Sequence, residues 1–297
     1  MTKPTRRQVL KQTGGIATGI AVMSATGSAH TGDYSTTHGK PHISTRGHYD
    51  TDSGELLASS KWDYDTDDDV PGLDESCDDD ITIFVHGWHN DEDDAHRKME
   101  KCHDNLVGDG YSGTVVEYTW DSDTGPDWNT GTDIAEANAY AFASACTDIM
   151  NQCGGILRVV CHSLGARVVL HGLDVLDGHS NWEHPDHELH SVHLLGAAED
   201  NEAPTWEWDH IANGVQEETT ATFNYYSTED NTLESWYNGS EADQALGETG
   251  AESGNDTPCN YHDYDATDQV GNDHSSYLNK LSDEIVYHMA HVNWYDC

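Results

Sequence analysis

The sequence predicts an α/β fold with a mostly parallel central sheet flanked by helices, and three observations carry that prediction. Beyond Asp80, short apolar runs alternate with longer segments of helical character, the pattern of a sheet built with crossover helices. Nine tryptophans and 14 tyrosines supply enough bulk for a core. At Val159–Val169 an apolar strand runs straight into small residues, one serine and the start of a helix.

The expected strands are Ile81–Val85, Thr114–Trp120, Ile156–Cys161, Leu189–Leu195 and Thr222–Ser227, with a last one at Tyr261–Ala266. Helices are expected near Asp93–Leu106, Asp133–Met150, Leu164–Leu176 and Ser276–Met289. Glu234–Asn260 is rich in Gly, Glu, Ser and Asp without periodicity and reads as an inserted surface loop. Residues 30–77 are polar and acidic and read as an extension ahead of the domain of alternating strands and helices over residues 78–297. Its densest run, Asp63–Asp69, has oxygen ligands of the kind calcium takes. It lacks the glycine and glutamate spacing of a helix-loop-helix calcium site, and no metal or cofactor is expected.

The N-terminus has the marks of a twin-arginine export signal over residues 1–29. Arg6 and Arg7 precede a weakly apolar stretch from Gly14 to Met23, small residues follow to Ala29, and no acidic residue occurs before Asp33. The expected partners are therefore the twin-arginine export machinery and a small-molecule or lipid substrate. The expected location is outside the cell membrane. No other stretch approaches the roughly 18 apolar residues of a membrane span, so stable insertion is not expected.

Removing the signal removes Lys3, Arg6, Arg7 and Lys11, four of the 13 basic residues, and leaves 9 minus 55, or −46. Such a charge repels itself in a compact fold. Concentrated salt, which shortens the screening length to roughly 3 Å near 1 M, makes it tolerable. The composition therefore predicts adaptation to brine, and it disfavours nucleic acid and anionic membranes as partners.

Ser163 lies in Cys161-His162-Ser163-Leu164-Gly165, with small residues two before and two after it. A tight strand-to-helix turn needs that spacing to lift a serine into view, and the following helix aims backbone N–H groups at a developing anion. A serine capping a buried helix would look the same locally. The second motif is Val85-His86-Gly87-Trp88, at the end of an earlier strand.

On these two motifs, the chain from about Asp78 onward resembles the α/β-hydrolases of the serine lipase and esterase type. The resemblance implies a Ser-Asp-His order, with Ser163 as nucleophile and the backbone N–H groups of Trp88 and Leu164 as an oxyanion hole. The family usually has glycine where Cys161 stands, and cysteine is small enough to serve as a variant. Asp230, just beyond the Thr222–Ser227 strand, is the expected acid; Glu229 beside it and Asp200 after the preceding strand are alternatives. His274, on the loop after the last strand, is the expected base, and His86 and His162 are expected to shape the loops around the site.

Seven cysteines occur, and Cys161 is expected as a buried filler at the turn. The other six have 15 possible pairings. Cys146 with Cys153, and Cys77 with Cys102, are the pairs that local spacing favours. The expectation is an exported, salt-adapted hydrolase of carboxylic esters, with Trp206-Glu207-Trp208 as a candidate acyl-pocket wall. A peptidase, amidase or acyltransferase would use the same residues. A non-catalytic surface-binding relative and a calcium-binding module are the readings from other classes.

Overall fold

The computed structural model describes residues 39–297 apart from 75, 185, 186 and 296. The expected export signal, residues 1–29, lies outside the described residues. Eight strands form one sheet: β1 (His42–Ser44), β2 (Asp65–Asp67), β3 (Asp80–Val85), β4 (Thr114–Thr119), β5 (Ile156–His162), β6 (Ser191–Leu195), β7 (Thr222–Tyr226) and β8 (Tyr261–Asp265). Their order is β2-β1-β4-β3-β5-β6-β7-β8. Only the β1–β2 pair is antiparallel.

The helices are α1 (Glu92–Gly108), α2 (Trp128–Gln152), α3 (Gly165–Asp177), α4 (Asp209–Glu218), α5 (Asn231–Glu241), α6 (Leu246–Thr249), α7 (Thr267–Val270) and α8 (Tyr277–Ala290). Alternation along the strands divides them between the two faces of the sheet. Ile83 and Val159 pack with Phe142 of α2, Val168 of α3 and Ile211 of α4. Their neighbours Phe84 and Val160 pack on the opposite face with Met99 of α1 and Ile285 of α8. Because successive side chains point to opposite faces, a strand covered on both sides is apolar throughout, which is why β3 and β5 stand out in the sequence. Each fully buried Ile, Val or Phe contributes roughly 1.5–3 kcal/mol.

Asp91 caps α1 by accepting from Asp94 N, and Glu92, Asp93 and Asp94 follow in its first turn. Asp127 caps α2 in the same way through Thr130 N. Carboxylates there meet the positive end of the helix dipole, so an acid-rich chain starts its helices well.

The segment 30–77, expected as an extension, supplies two strands of the sheet. Ile43, Tyr49, Tyr64 and Val70 are core residues. Three-residue strands among aspartates have too little apolar periodicity to register in the sequence. Asp63–Asp69 is itself partly strand, and its carboxylates are dispersed. Asp65 meets His48, Asp68 accepts from Gly39 N, and Asp69 accepts from Ser76. Glu234–Asn260 is likewise not a plain loop, since it carries most of α5 and all of α6. Tyr237, Ala245 and Leu246 are anchored in the core, too few apolar positions to mark helices against so much Glu and Gly.

Both expected disulfide pairs are corrected. The bonds are Cys77–Cys153 and Cys259–Cys297, while Cys102, Cys146 and Cys161 are free and buried. Cys146 points into the α2 side of the core and Cys102 into the α1 side, so neither can reach a loop cysteine. Cys161 is the expected buried filler, with its Sγ 3.6 Å from His193 O.

Cys77–Cys153 closes 76 residues and ties the segment ahead of β3 to the end of α2. A loop of that size is worth about 4 kcal/mol in the chain-entropy view. The Cys77→Ser/Cys153→Ser variant should therefore melt roughly 10 °C below wild type by calorimetry. An unchanged Tm would show that the bond constrains nothing in the unfolded chain.

Candidate active site

Ser163 sits at the junction of β5 and α3 with φ of 54°, a left-handed conformation that costs a non-glycine residue energy. Surrounding contacts hold it there. Its N–H donates to Leu195 O at 3.0 Å, and its carbonyl accepts from Ala166 N and Ala198 N. The turn is closed by Gly165, where a Cβ would stand 2.6 Å from Val85 O and 2.7 Å from His86 O. Backbone cannot retreat from such a contact as a flexible side chain could. This is the physical reason for glycine two residues after the serine.

Unlike α1 and α2, α3 has no side-chain cap: Leu164 occupies the N-cap and makes no such bond. Its N–H donates to no described residue, and neither does that of Trp88. Two backbone donors beside one serine hydroxyl are thus left for a ligand. The loop bearing Trp88 lies directly on the serine, because a Cβ on Gly87 would come 2.8 Å from Ser163 Cβ.

The Gly87–Trp88 peptide is clamped through its carbonyl. Gly87 O accepts from Asn90 Nδ2 at 2.6 Å and from His86 Nδ1 at 2.8 Å. Asn90 also donates to Trp88 O at 2.8 Å. His86 Nε2 accepts from Trp120 N, which assigns the proton to Nδ1. Burial, and then the Arg46 guanidinium, hold the His86 pKa well below its ordinary value, so the ring is neutral. In a trans peptide the carbonyl and N–H point in opposite directions, so this clamp turns the Trp88 N–H away from Asn90 and His86. The sequence reading missed Asn90, whose only local signal is its place three residues after Gly87.

Removing one oxyanion donor typically costs about 10²–10³ in turnover, and loosening it costs less. Asn90→Ala should therefore lower turnover about 10- to 100-fold with little change in KM. A variant that loses KM alone would show that Asn90 shapes binding and not the peptide plane.

His274 Nδ1 meets Asp230 Oδ2 at 2.7 Å. Asp230 is buried and is also the cap of α5, with Oδ1 accepting from Thr232 N and Leu233 N. Its Oδ2 accepts in addition from the Tyr277 hydroxyl at 3.1 Å. Burial and the adjacent Asp230 raise the Tyr277 pKa, so the phenol stays a donor. Tyr277 is a second residue the sequence reading missed.

Of the alternative acids, Glu229 is exposed, and Asp200 accepts from Glu202 N away from the histidine. His162 donates from Nε2 to His274 O at 2.8 Å, holding the loop that carries the ring. Burial, then His274 and Lys98, keep the His162 pKa well below its ordinary value.

Ser163, His162 and His274 meet in a cavity of about 410 Å³. Trp88, Trp128, Leu233, Trp236 and Tyr237 make one wall. Trp88 packs edge-on against Trp128 and Trp236, with ring centres 5.1 and 5.5 Å away. Trp206-Glu207-Trp208, the expected wall, is not among the lining residues; it forms a short 3₁₀ turn leading into α4. Tryptophans spaced far apart in the sequence carry no sign that they will converge.

Residues 68–246 match the family model described as Alpha/beta hydrolase of unknown function (DUF900). The chain belongs to that α/β-hydrolase family. Among solved structures it is similar to the esterase Pf2001 of Pyrococcus furiosus, with 12% identity, a TM-score of 0.41, and coverage of 72% of this chain and 83% of that one. It is also similar to the phospholipase PlaB of Legionella pneumophila at 15% identity and a TM-score of 0.34, covering 51% of this chain and 40% of PlaB. PlaB in complex with thio-NAD matches at 16% identity and a TM-score of 0.32, covering 57% of this chain and 44% of that one. This chain thus spans less than half the length of PlaB. No curated protein matches it. Among the described residues, no helix is long and apolar enough to cross a membrane.

Proposed function

We propose that this family member is an exported, salt-adapted serine hydrolase that cleaves carboxylic esters through an acyl-enzyme on Ser163. The observation that carries the reading is the set of two unspent backbone donors, at Trp88 and Leu164, around a serine that shares its cavity with the Asp230-held His274.

His274 Nε2 takes the Ser163 proton as Oγ bonds to the ester carbonyl carbon. The carbonyl π pair moves onto oxygen, where the Trp88 and Leu164 N–H groups meet the charge. As that pair returns, the bond to the alcohol oxygen breaks and His274 hands it the proton. Water then attacks the acyl-enzyme with His274 again as base. Carboxylate leaves and Ser163 regains its proton. Asp230 keeps His274 in the Nδ1–H tautomer and steadies the charged ring without taking the proton itself.

Export through the twin-arginine machinery and adaptation to brine rest on the paired arginines at residues 6 and 7 and on the net charge of −42.

The test is labelling with a fluorophosphonate probe in several molar KCl. Wild type should label, and Ser163→Ala should not. A folded wild type that stays unlabelled would sink the proposal. Label that survives in the mutant would place the reactive nucleophile elsewhere.

A further inference from the structure

The helix α1 that reaches the cavity is chemically unlike the rest of the chain. Only 13 lysines and arginines stand against 55 acidic residues, and three of the 13 fall within five positions of α1: Arg97, Lys98 and Lys101. A fourth, Lys280, lies on α8.

Arg97 is paired with Asp94. Lys101 Nζ lies 3.5 Å from Ser275 O and Lys280 Nζ 3.5 Å from Val270 O, so both brace the loop that carries His274. Lys98 remains. It is half-buried, lines the same cavity as Ser163 and His274, and has no carboxylate within ion-pair distance among the described residues. With about four acidic groups for every basic one, an amine left without such a partner beside a reactive serine is conspicuous. The acidic residue of the lining, Asp273, is exposed and stays charged, since the Ser275 hydroxyl and N–H on its Oδ1 hold its pKa below the ordinary carboxylate value; Lys280 and Lys101 are its nearby counter-charges, whereas Lys98 is not among them.

We propose, building on the hydrolase reading, that Lys98 binds a negatively charged group on the leaving alcohol, so that the substrates are esters of phosphorylated or carboxylated alcohols. The side follows from the division of the walls. The aromatic wall comes from α2, α5 and the Trp88 loop, and it suits an apolar acyl group. Lys98 and Lys101 are three residues apart and share one helix face, and Lys101 reaches the His274 loop. Lys98 and Lys101 both act on the charge of His162, which holds the His274 loop, so Lys98 lies toward the ring that protonates the departing oxygen.

A chain of such negative charge repels anionic substrates at long range. Concentrated salt screens that repulsion beyond a few ångströms, while a partly buried contact is screened much less. A local cation in the cavity is what such a substrate requires.

The experiment compares kcat/KM in molar KCl for butyrate esters of three alcohols: glycerol 3-phosphate, 3-hydroxypropanoate and uncharged 1,3-propanediol. Wild type, Lys98→Met and Lys61→Met are measured, with melting curves to confirm folding. Lys61, stacked over the Tyr140 ring, is not among the cavity-lining residues and serves as the control cation. Wild type should favour an anionic alcohol over the uncharged one, and Lys98→Met should reduce that preference at least tenfold while Lys61→Met keeps it. Whichever anion loses more identifies phosphate or carboxylate as the recognised group. A wild type indifferent to charge, or a preference that survives in Lys98→Met, overturns the assignment. Failure to cleave any of the three together with failure to react with fluorophosphonate would instead overturn the hydrolase reading beneath it.

Discussion

Ser163→Ala is expected to reduce kcat/KM on an ester by roughly 10⁵–10⁶, the largest effect of any single change in this chain. Without the hydroxyl, the covalent route closes at its first bond. What remains is water attack assisted by the Trp88 and Leu164 donors, which itself retains about 10³–10⁴ over the uncatalysed reaction. The variant should fold well. Ser163 is held through its backbone N–H and carbonyl, which alanine keeps. Alanine at φ of 54° bears a strain similar to that of serine. Steady-state kinetics alongside a melting curve decide the matter: a loss of less than 100-fold in a folded variant would remove Ser163 from the nucleophile's role.

Asp230→Asn is expected to come second, with kcat lower by about 10⁴. This substitution separates the two duties of Asp230. As the cap of α5 it accepts from Thr232 N and Leu233 N through Oδ1, and an asparagine carbonyl caps a helix about as well. Stability should therefore change little. As the partner of His274 it must accept the Nδ1–H, and the amide now presents either a donor or an oxygen already committed to the cap. The imidazole then favours the other tautomer, with its proton on the nitrogen that should receive one from Ser163. Tyr277, the other donor to Oδ2, offers a graded comparison. Tyr277→Phe keeps the carboxylate and the ring packing, so its loss in kcat should be far smaller. A drop in Tm as large as the drop in rate for Asp230→Asn would show that only the cap had been lost.

How far the sequence could be read depends on how far apart the interacting residues lie. The turn around Ser163 spans five consecutive residues whose chemistry depends on one another's size. Its strand, its small neighbours and the helix after it were accordingly visible without tertiary information. The same holds for β3 to β7, because burial on both faces writes largely apolar runs, and for the capped starts of α1 and α2; β8, an exposed edge strand, shows only its tyrosines. By contrast, β1 and β2 enter the sheet through three residues each. β1 is held by pairing with β4, β2 by pairing with β1, and both by isolated anchors such as Ile43 and Tyr64, and period and composition say nothing of that.

Carboxylates and histidines in such number are not told apart by type alone. Position after a strand singled out Asp230 and His274, but the 2.7 Å contact between them is made across 44 residues of chain. Cysteine pairing failed as a sequence inference because Cys102 and Cys146 lie on inward helix faces, a matter of helix rotation against the sheet.

The sequence by itself determined the alternation of strands and helices, the serine turn and the charge, since each arises from neighbours along the chain or from composition. Only the tertiary structure decided the disulfides, the Asn90 clamp on the Gly87 carbonyl, the tryptophan wall and the place of Lys98 in the same cavity as Ser163. These depend on distances between segments that the packing of helices on a twisted sheet sets, and no local preference encodes them.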